Sequence, residues 1–285
     1  MFTLHHLVES RSQRIVWLLE LVGADYEIKA YPRDPITSLA PQAYKNLHPL
    51  GAAPLLEHEG KMLAESGAIC EYIVYTMQGV YAMQGSESAH SKLGSEYVAN
   101  DLLRKDDAEA HINVQFWSHF SEGSFLPPLV ANMVMDKARE KAKPFFVKFI
   151  ANKLLDAIQD AYFNKVIMRN LAYIESHLSG KADSAESAAS STDTGADAGT
   201  DKGAKTFLVG DQITIADIQM SFGLEALYRT NHKANTKANH KENSKTTRLE
   251  AFPNIKAYVE RLLALPSYIS AMEKMAEAEA KIGKA

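Results

Sequence analysis

The hydrophobic period of this chain switches back and forth over its first eighty residues and then settles into one. "FTLHHL" (2–7) reads as a short strand, and Ile15, Leu18, Leu19 and Val22 follow at the spacing of one helix face. Gly23 stands where a helix over 12–22 would end. "YEIKAY" (26–31) is a second strand, followed by a proline-punctuated loop and a short helical piece around 39–47. "PLLEH" and "KMLAE" flank Glu59-Gly60 as the arms of a hairpin. A helix from Ser66 to Gln78 carries Ile69, Ile73 and Met77 along one face. The order β-α-β-α-β-β-α restricts residues 1–80 to an α/β layer with one βαβ unit and a terminal hairpin. After a linker at 81–87, helical patterns dominate: about 88–121, 128–142, 145–178, 214–229, 253–264 and 267–281. Pro127-Pro128, Pro144, Pro253 and Pro266 punctuate them. The expected fold class is therefore α/β plus all-α, with residues 88–285 forming the all-helical domain.

Two stretches interrupt this pattern. Residues 181–206 contain no aromatic and no branched aliphatic side chain. They cannot bury enough surface to offset an ordering entropy of roughly 1–2 kcal/mol per residue. Residues 231–246 repeat as N-x-K-x with no apolar stripe, and asparagine is a poor helix former. Both are expected to be flexible surface insertions.

Charge and cysteine content narrow the function. The net charge of −4 argues against nucleic-acid or anionic-membrane binding, which draws on a basic excess. A single cysteine, Cys70, excludes an internal disulfide and a thiolate-based zinc site. Inside a helix, Cys70 is expected to serve as a small hydrophobe. The pair His5-His6, and His232 with His240, lack metal-ligand spacing, so no metal is expected. No stretch approaches the roughly 18–20 apolar residues of a membrane span and no leader pattern opens the chain, which gives a soluble cytoplasmic protein as the expectation.

Four short motifs stand out, and three of them could carry chemistry. In "ESRSQR", Ser10 and Ser12 stand where the first strand gives way to a helix, a place suited both to capping and to holding an anion. In "HPLGAAPLLE" (48–57), Ala53-Pro54 precedes a strand, where a turn can hold a cis bond and expose the Ala53 backbone to an extended ligand. In "AESGA" (64–68), Ser66 reads as the N-cap of the next helix, able to bind a carboxylate, with Glu65 beside it for an amine. In "ITIADI" (213–218), Thr214 and Asp217 form a capping-box variant, with Ile213 and Ile218 as its hydrophobic staple. That last motif is structural.

Strand–Ser–helix, then G-x-x-P, then Glu-Ser at a helix start, then T-I-A-D in a helical second domain: this order resembles a cytosolic glutathione transferase of the serine type. The resemblance spans residues 1–80, 88–178 and 207–282, and "EGSFLPPL" (122–129) is similar to microbial members with a break in the first long helix. It implies a thioredoxin-like N-terminal domain that binds glutathione as co-substrate, with no tightly bound cofactor. It implies that Ala53 pairs through its backbone with the glutathione cysteine beside a cis Pro54, and that Glu65 and Ser66 hold the γ-glutamyl end. Ala52 stands where members often carry a cationic or amide side chain toward the glycine carboxylate, a contact for which His48 is the substitute. Ser10 stands where serine-type members place the activating hydroxyl, with Ser12 as the alternative, and Arg14 braces the first helix. A hydroxyl hydrogen bond to a thiolate, worth roughly 1.5–3 kcal/mol, lowers the thiol pKa by about one to two. Phe116, Trp117 and Phe120 either line an apolar electrophile pocket or pack in the core. The resemblance further implies a homodimer and detoxification of hydrophobic electrophiles, with peroxidase activity as an addition. A non-catalytic binding protein of the same fold is the alternative.

Overall fold

In the computed structural model, which describes residues 1–84, 102–141, 145–180, 203–236 and 249–283, the chain opens on strand β1 (Phe2–Leu7). Helix α1 (Ser12–Leu21) crosses to β2 (Tyr26–Tyr31), which pairs parallel with β1 from Phe2↔Tyr26 to Leu7↔Tyr31. A short helix α2 (Gln42–Lys45) precedes the antiparallel strands β3 (Leu55–His58) and β4 (Lys61–Ala64). The sheet order is β2-β1-β3-β4, so β1 is an interior strand and all six of its side chains are buried. That burial requires partners for its histidines. His5 has them in the Tyr31 hydroxyl at 3.1 Å and the Glu57 carboxylate at 3.3 Å. Glu59 (φ 48°) and Gly60 (φ 74°) turn the β3–β4 hairpin through two left-handed residues, the geometry that favours glycine second.

Helix α3 (Ser66–Gln84) runs past Gln78 into the stretch expected as a linker; residues 85–87 lie outside the described residues. Of the long helix expected from residue 88, residues 88–101 also lie outside them. Helix α4 (Ala108–Phe120) begins later than expected, because residues 102–107 form turns and Asp107 caps it, accepting the amides of Glu109 and Ala110. The break expected at "EGSFLPPL" is not a break. A π-helical turn, Ser121–Phe125, joins α4 to α5 (Leu126–Lys141). Pro127 and Pro128 bring no N–H, and the Leu126 amide just before them bonds five residues back to Ser121 C=O, so the wider turn absorbs the proline pair. A second π turn, Gln159–Phe163, likewise joins α6 (Phe145–Ile158) to α7 (Asn164–Leu178).

The remaining helices are α8 (Ile215–Thr236), α9 (Pro253–Leu263) and α10 (Pro266–Glu279). Residues 231–236, expected to begin a flexible insertion, instead continue α8. Once a helix is nucleated, each added residue gains a hydrogen bond, so a segment with no apolar stripe can prolong it. Residues 237–246, His240 among them, and 181–202 of the other insertion lie outside the described residues. Among the described residues the second domain contains no strand, and no helix is long and apolar enough to cross a membrane.

One hydrophobic core runs through both parts, joining Leu18 and Ile73 to Val114, Leu171, Ile218 and Tyr258. Gly223 on α8 permits a close approach in it: a Cβ there would lie 2.8 Å from Phe125 Cε1. Near its centre Asp217, fully buried, accepts four hydrogen bonds: Thr214 N–H (2.8 Å), Thr214 Oγ1–H (2.9 Å), Leu208 N–H (2.9 Å) and Tyr258 O–H (2.7 Å). The Asp217 bond to the Thr214 N–H is one half of the expected capping box, and the Thr214 hydroxyl donates to the same carboxylate. Burial holds the Asp217 carboxyl above its ordinary value, and the four donors oppose that shift without cancelling it. Asp217→Ala would leave four buried donors unsatisfied. We expect it to lower unfolding free energy by about 3 kcal/mol or more, read as an earlier urea midpoint at unchanged m-value.

Candidate functional site

The β1–α1 loop is fixed from outside by Arg33. Its Nε donates to Val8 O (2.8 Å), its Nη2 to Glu9 O (2.8 Å) and its Nη1 to Ser38 O (3.0 Å), which secures Glu9 at φ 53°. Ser10 follows. Arg11 already has helical dihedrals, so Ser10 lies just outside α1, and its Oγ accepts the Ser12 N–H at 3.3 Å. Ser10 Oγ is also 2.6 Å from Ser12 Oγ. Ser12 Oγ is 2.6 Å from His6 Nδ1, and His6 Nε2 is 2.7 Å from Glu279 Oε1 in the last turn of α10. Ser10 retains 8% exposure and Ser12 none. The two candidate hydroxyls are therefore neighbours in one chain of hydrogen bonds, with only Ser10 reaching the surface.

A cleft opens beside this loop. Ala52, Ala53 and Pro54 line it, with the Ala53–Pro54 bond cis, and so do Glu65 and Ser66 at the junction of β4 and α3. Arg11 and Glu122 are also in its lining. The Ser10 hydroxyl is not; it is turned to Ser12. The first helical bond of α3 runs from Ile69 N–H to Glu65 C=O (2.9 Å), so Glu65 occupies the cap position and Ser66 is the first helical residue, one place later than expected. Glu65 sits at φ 71°, a left-handed conformation that turns β4 into α3.

Arg14 lies behind this wall, fully buried, with Nη1 shared between Glu122, Gln219 Oε1 (2.7 Å) and Ser66 Oγ (3.4 Å). Burial pulls the guanidinium pKa down and the Glu122 carboxylate opposes that. Ser66 also donates to Gln219 Oε1 at 3.3 Å. Arg11 Nε lies 3.4 Å from Glu122 Oε2. Sequence reasoning missed Arg11 and Glu122 as cleft residues. The signal it had was two arginines one helical turn apart at the start of a buried helix, which call for a carboxylate from elsewhere.

The other expected residues fall differently. His48 is outside the cleft lining, and its Nδ1 accepts the Leu50 N–H at 3.2 Å within its own turn. Arg11 is the cation that the lining does contain. Phe116, Trp117 and Phe120 form an aromatic cluster with Tyr173 on α7. Trp117 is 1% exposed, stacked on Tyr173 at 5.5 Å and beside His177 at 4.5 Å, whereas Phe116 is 44% exposed. None of the three lines the cleft. Cys70 is buried against Arg14 and Gln219, and burial pushes its thiol up to about 12. Among the described residues, no group of three or more His, Cys, Asp or Glu side chains is arranged to hold a metal ion.

Residues 1–75 match the family of glutathione S-transferase N-terminal domains, and residues 173–266 that of the C-terminal domains. Glutathione S-transferase 3 of Schizosaccharomyces pombe is 32% identical over 229 residues, covering 80% of this chain and 75% of that protein. The chain belongs to the glutathione S-transferase family. Glutathione S-transferase 1 of Saccharomyces cerevisiae is 26% identical over 276 residues, covering 95% of this chain and 93% of that protein. A crystal structure of a glutathione S-transferase from Actinobacillus pleuropneumoniae superposes with a TM-score of 0.59 at 27% identity, covering 96% of this chain and 92% of that one. The sheet described above lies within the family's N-terminal domain, and helices α8 and α9 lie within the matched part of its C-terminal domain.

Two outcomes follow from this geometry. With its thiol at about 12, Cys70 is only about one part in 10⁴ thiolate at about pH 8. Iodoacetamide should leave it unmodified in the folded protein and alkylate it readily in denaturant, as read by mass spectrometry. Glu65→Gly would relieve the left-handed backbone while removing the cleft carboxylate. It should unfold no earlier than the parent on heating, as read by calorimetry.

Proposed function

We propose that this protein conjugates glutathione to small hydrophobic electrophiles, with Ser10 as the hydroxyl that serves the thiol. The observation that carries this reading is the meeting, in one cleft, of Ala53 with its cis Pro54, Glu65 and Ser66, next to the loop that bears Ser10. An extended backbone edge suits a cysteinyl peptide unit. The Ser66 hydroxyl and the open end of α3 suit a carboxylate, and Glu65 suits an amine. Arg11 supplies a cation for the second carboxylate, in place of the side chain absent at Ala52. Membership in a family whose yeast relatives are named glutathione S-transferases supports the same reading. We further propose a cytoplasmic homodimer that serves detoxification, with hydroperoxide reduction as an additional activity. The turn of the Ser10 hydroxyl toward Ser12 rather than into the cleft favours one second reading, a protein that binds glutathione without turning it over.

Retention on immobilised glutathione together with turnover of a model electrophile supports the first reading; retention without turnover supports the second. In the active protein Ser10→Ala should lower kcat by about ten- to a hundredfold and move the acid limb of kcat/KM up by about one to two pH, with KM for glutathione changed less than about twofold. An unchanged pH profile would remove Ser10 from the chemistry.

A further inference from the structure

We propose that Glu279, His6, Ser12 and Ser10 form a proton relay in which His6 is the final acceptor of the proton leaving the glutathione thiol. This rests on the glutathione reading above. The four groups follow one another at 2.7 Å (Glu279 Oε1 to His6 Nε2), 2.6 Å (His6 Nδ1 to Ser12 Oγ) and 2.6 Å (Ser12 Oγ to Ser10 Oγ). Three come from β1, the loop after it and the start of α1. The fourth comes from the far end of the chain, 273 residues from His6.

With His6 neutral, hydrogen-bond direction along the chain is dictated by its ends. A carboxylate only accepts, so His6 donates through Nε2–H and its Nδ1 carries the lone pair. Nδ1 therefore accepts the Ser12 O–H, and Ser12 Oγ accepts the Ser10 O–H. At rest, then, Ser10 has no proton for a ligand. It presents a lone pair, which suits a thiol S–H and not a thiolate.

A shift of three protons reverses the chain. The S–H bond breaks and its proton bonds to Ser10 Oγ; the former Ser10 proton passes to Ser12 Oγ, and the former Ser12 proton to His6 Nδ1. Sulfur keeps the electron pair and becomes the thiolate, each serine is again a neutral hydroxyl, and His6 is an imidazolium against the Glu279 carboxylate. Ser10 now donates to the sulfur, so the donor that stabilises the thiolate is made by the same step that creates it.

The surroundings of His6 suit a base that is neutral before the step. Burial pulls its imidazole below the ordinary value, and the Glu279 carboxylate pushes it back up. From the elements around it, α10 presents Glu279, α1 presents Ser12, and β2 places Ala30 opposite it in register. Among the described residues Glu279 is the charged group that acts on it.

The test uses the full chain with bound glutathione, following the ultraviolet absorbance of the thiolate against pH, and in parallel kcat and KM with a model electrophile. Glu279→Gln keeps an acceptor for Nε2 and removes the charge; His6→Asn keeps a polar side chain that cannot become a cation. Both should move the thiolate midpoint up by about one pH or more and lower kcat about tenfold, with KM for glutathione within about twofold. A structural tether alone would move thermal stability and KM without moving the midpoint. If His6→Asn fails to fold, Glu279→Gln decides, because that side chain is 32% exposed at a helix end. A midpoint unchanged in Glu279→Gln, while Ser10→Ala still moves it, overturns the relay and leaves the glutathione reading standing. A parent protein that forms no glutathione thiolate overturns both.

Discussion

Helix α1 meets the helical domain through polar side chains at nearly every turn, and the relation between the two halves of the molecule depends on that ladder. Gln13 Nε2 donates to Glu225 (2.5 Å) and to Tyr268 Oη (2.9 Å); Arg14 reaches Glu122 and Gln219; Trp17 Nε1 donates to Ser267 Oγ (3.1 Å). At the last turn Glu20 accepts from Ser270 Oγ and Lys274 Nζ, both at 2.6 Å, and from the Tyr26 hydroxyl. The exposed Lys274 end of this ladder contributes little to stability. The buried rungs are different. A guanidinium with no exposed surface is tolerable only with its carboxylate in place, so the position of the π turn carrying Glu122 is coupled to the position of α1.

The same ladder builds the cleft. Arg14 touches Ser66 at the start of α3, Gln219 on α8 and Glu122 in the π turn, so one buried cation brings together a cleft hydroxyl, a core amide and a cleft carboxylate. The arrangement of the cleft wall is thereby set by the packing of the two domains rather than by the N-terminal layer alone. Arg33 does the corresponding work on the other side, bracing the loop before Ser10 through the carbonyls of Val8 and Glu9 and tying it to that of Ser38.

Much of this was legible in residue order. The short apolar strands, the helix stripe of Ile15, Leu18, Leu19 and Val22, and the Glu59-Gly60 turn are local signals, set by steric and hydrophobic rules that act within a few residues. Ser66 was displaced by one because the cap position went to Glu65, whose left-handed backbone no propensity scale favours. The proline pair reads as a helix break, since a regular α-helix cannot continue through it; a π turn can, and this one packs on α8 at Gly223 and Gln219. Least legible were the partners of buried charge. Glu122 is 108 residues from Arg14 and Glu279 is 273 from His6, and nothing in a one-dimensional pattern says which distant carboxylate a buried cation or imidazole will meet.

The ladder has an optical consequence. The chain contains two tryptophans, and they report on different places. Trp17 lies in the joint, edge-on to Tyr268 and bonded to Ser267, whereas Trp117 lies inside the helical domain between Tyr173 and His177. Both are shielded from water. Any loosening of α1 from the helical domain would therefore redden the emission of one indole while the other stayed blue, so the molecule has a built-in pair of fluorophores that separates parting of the domains from melting of the core.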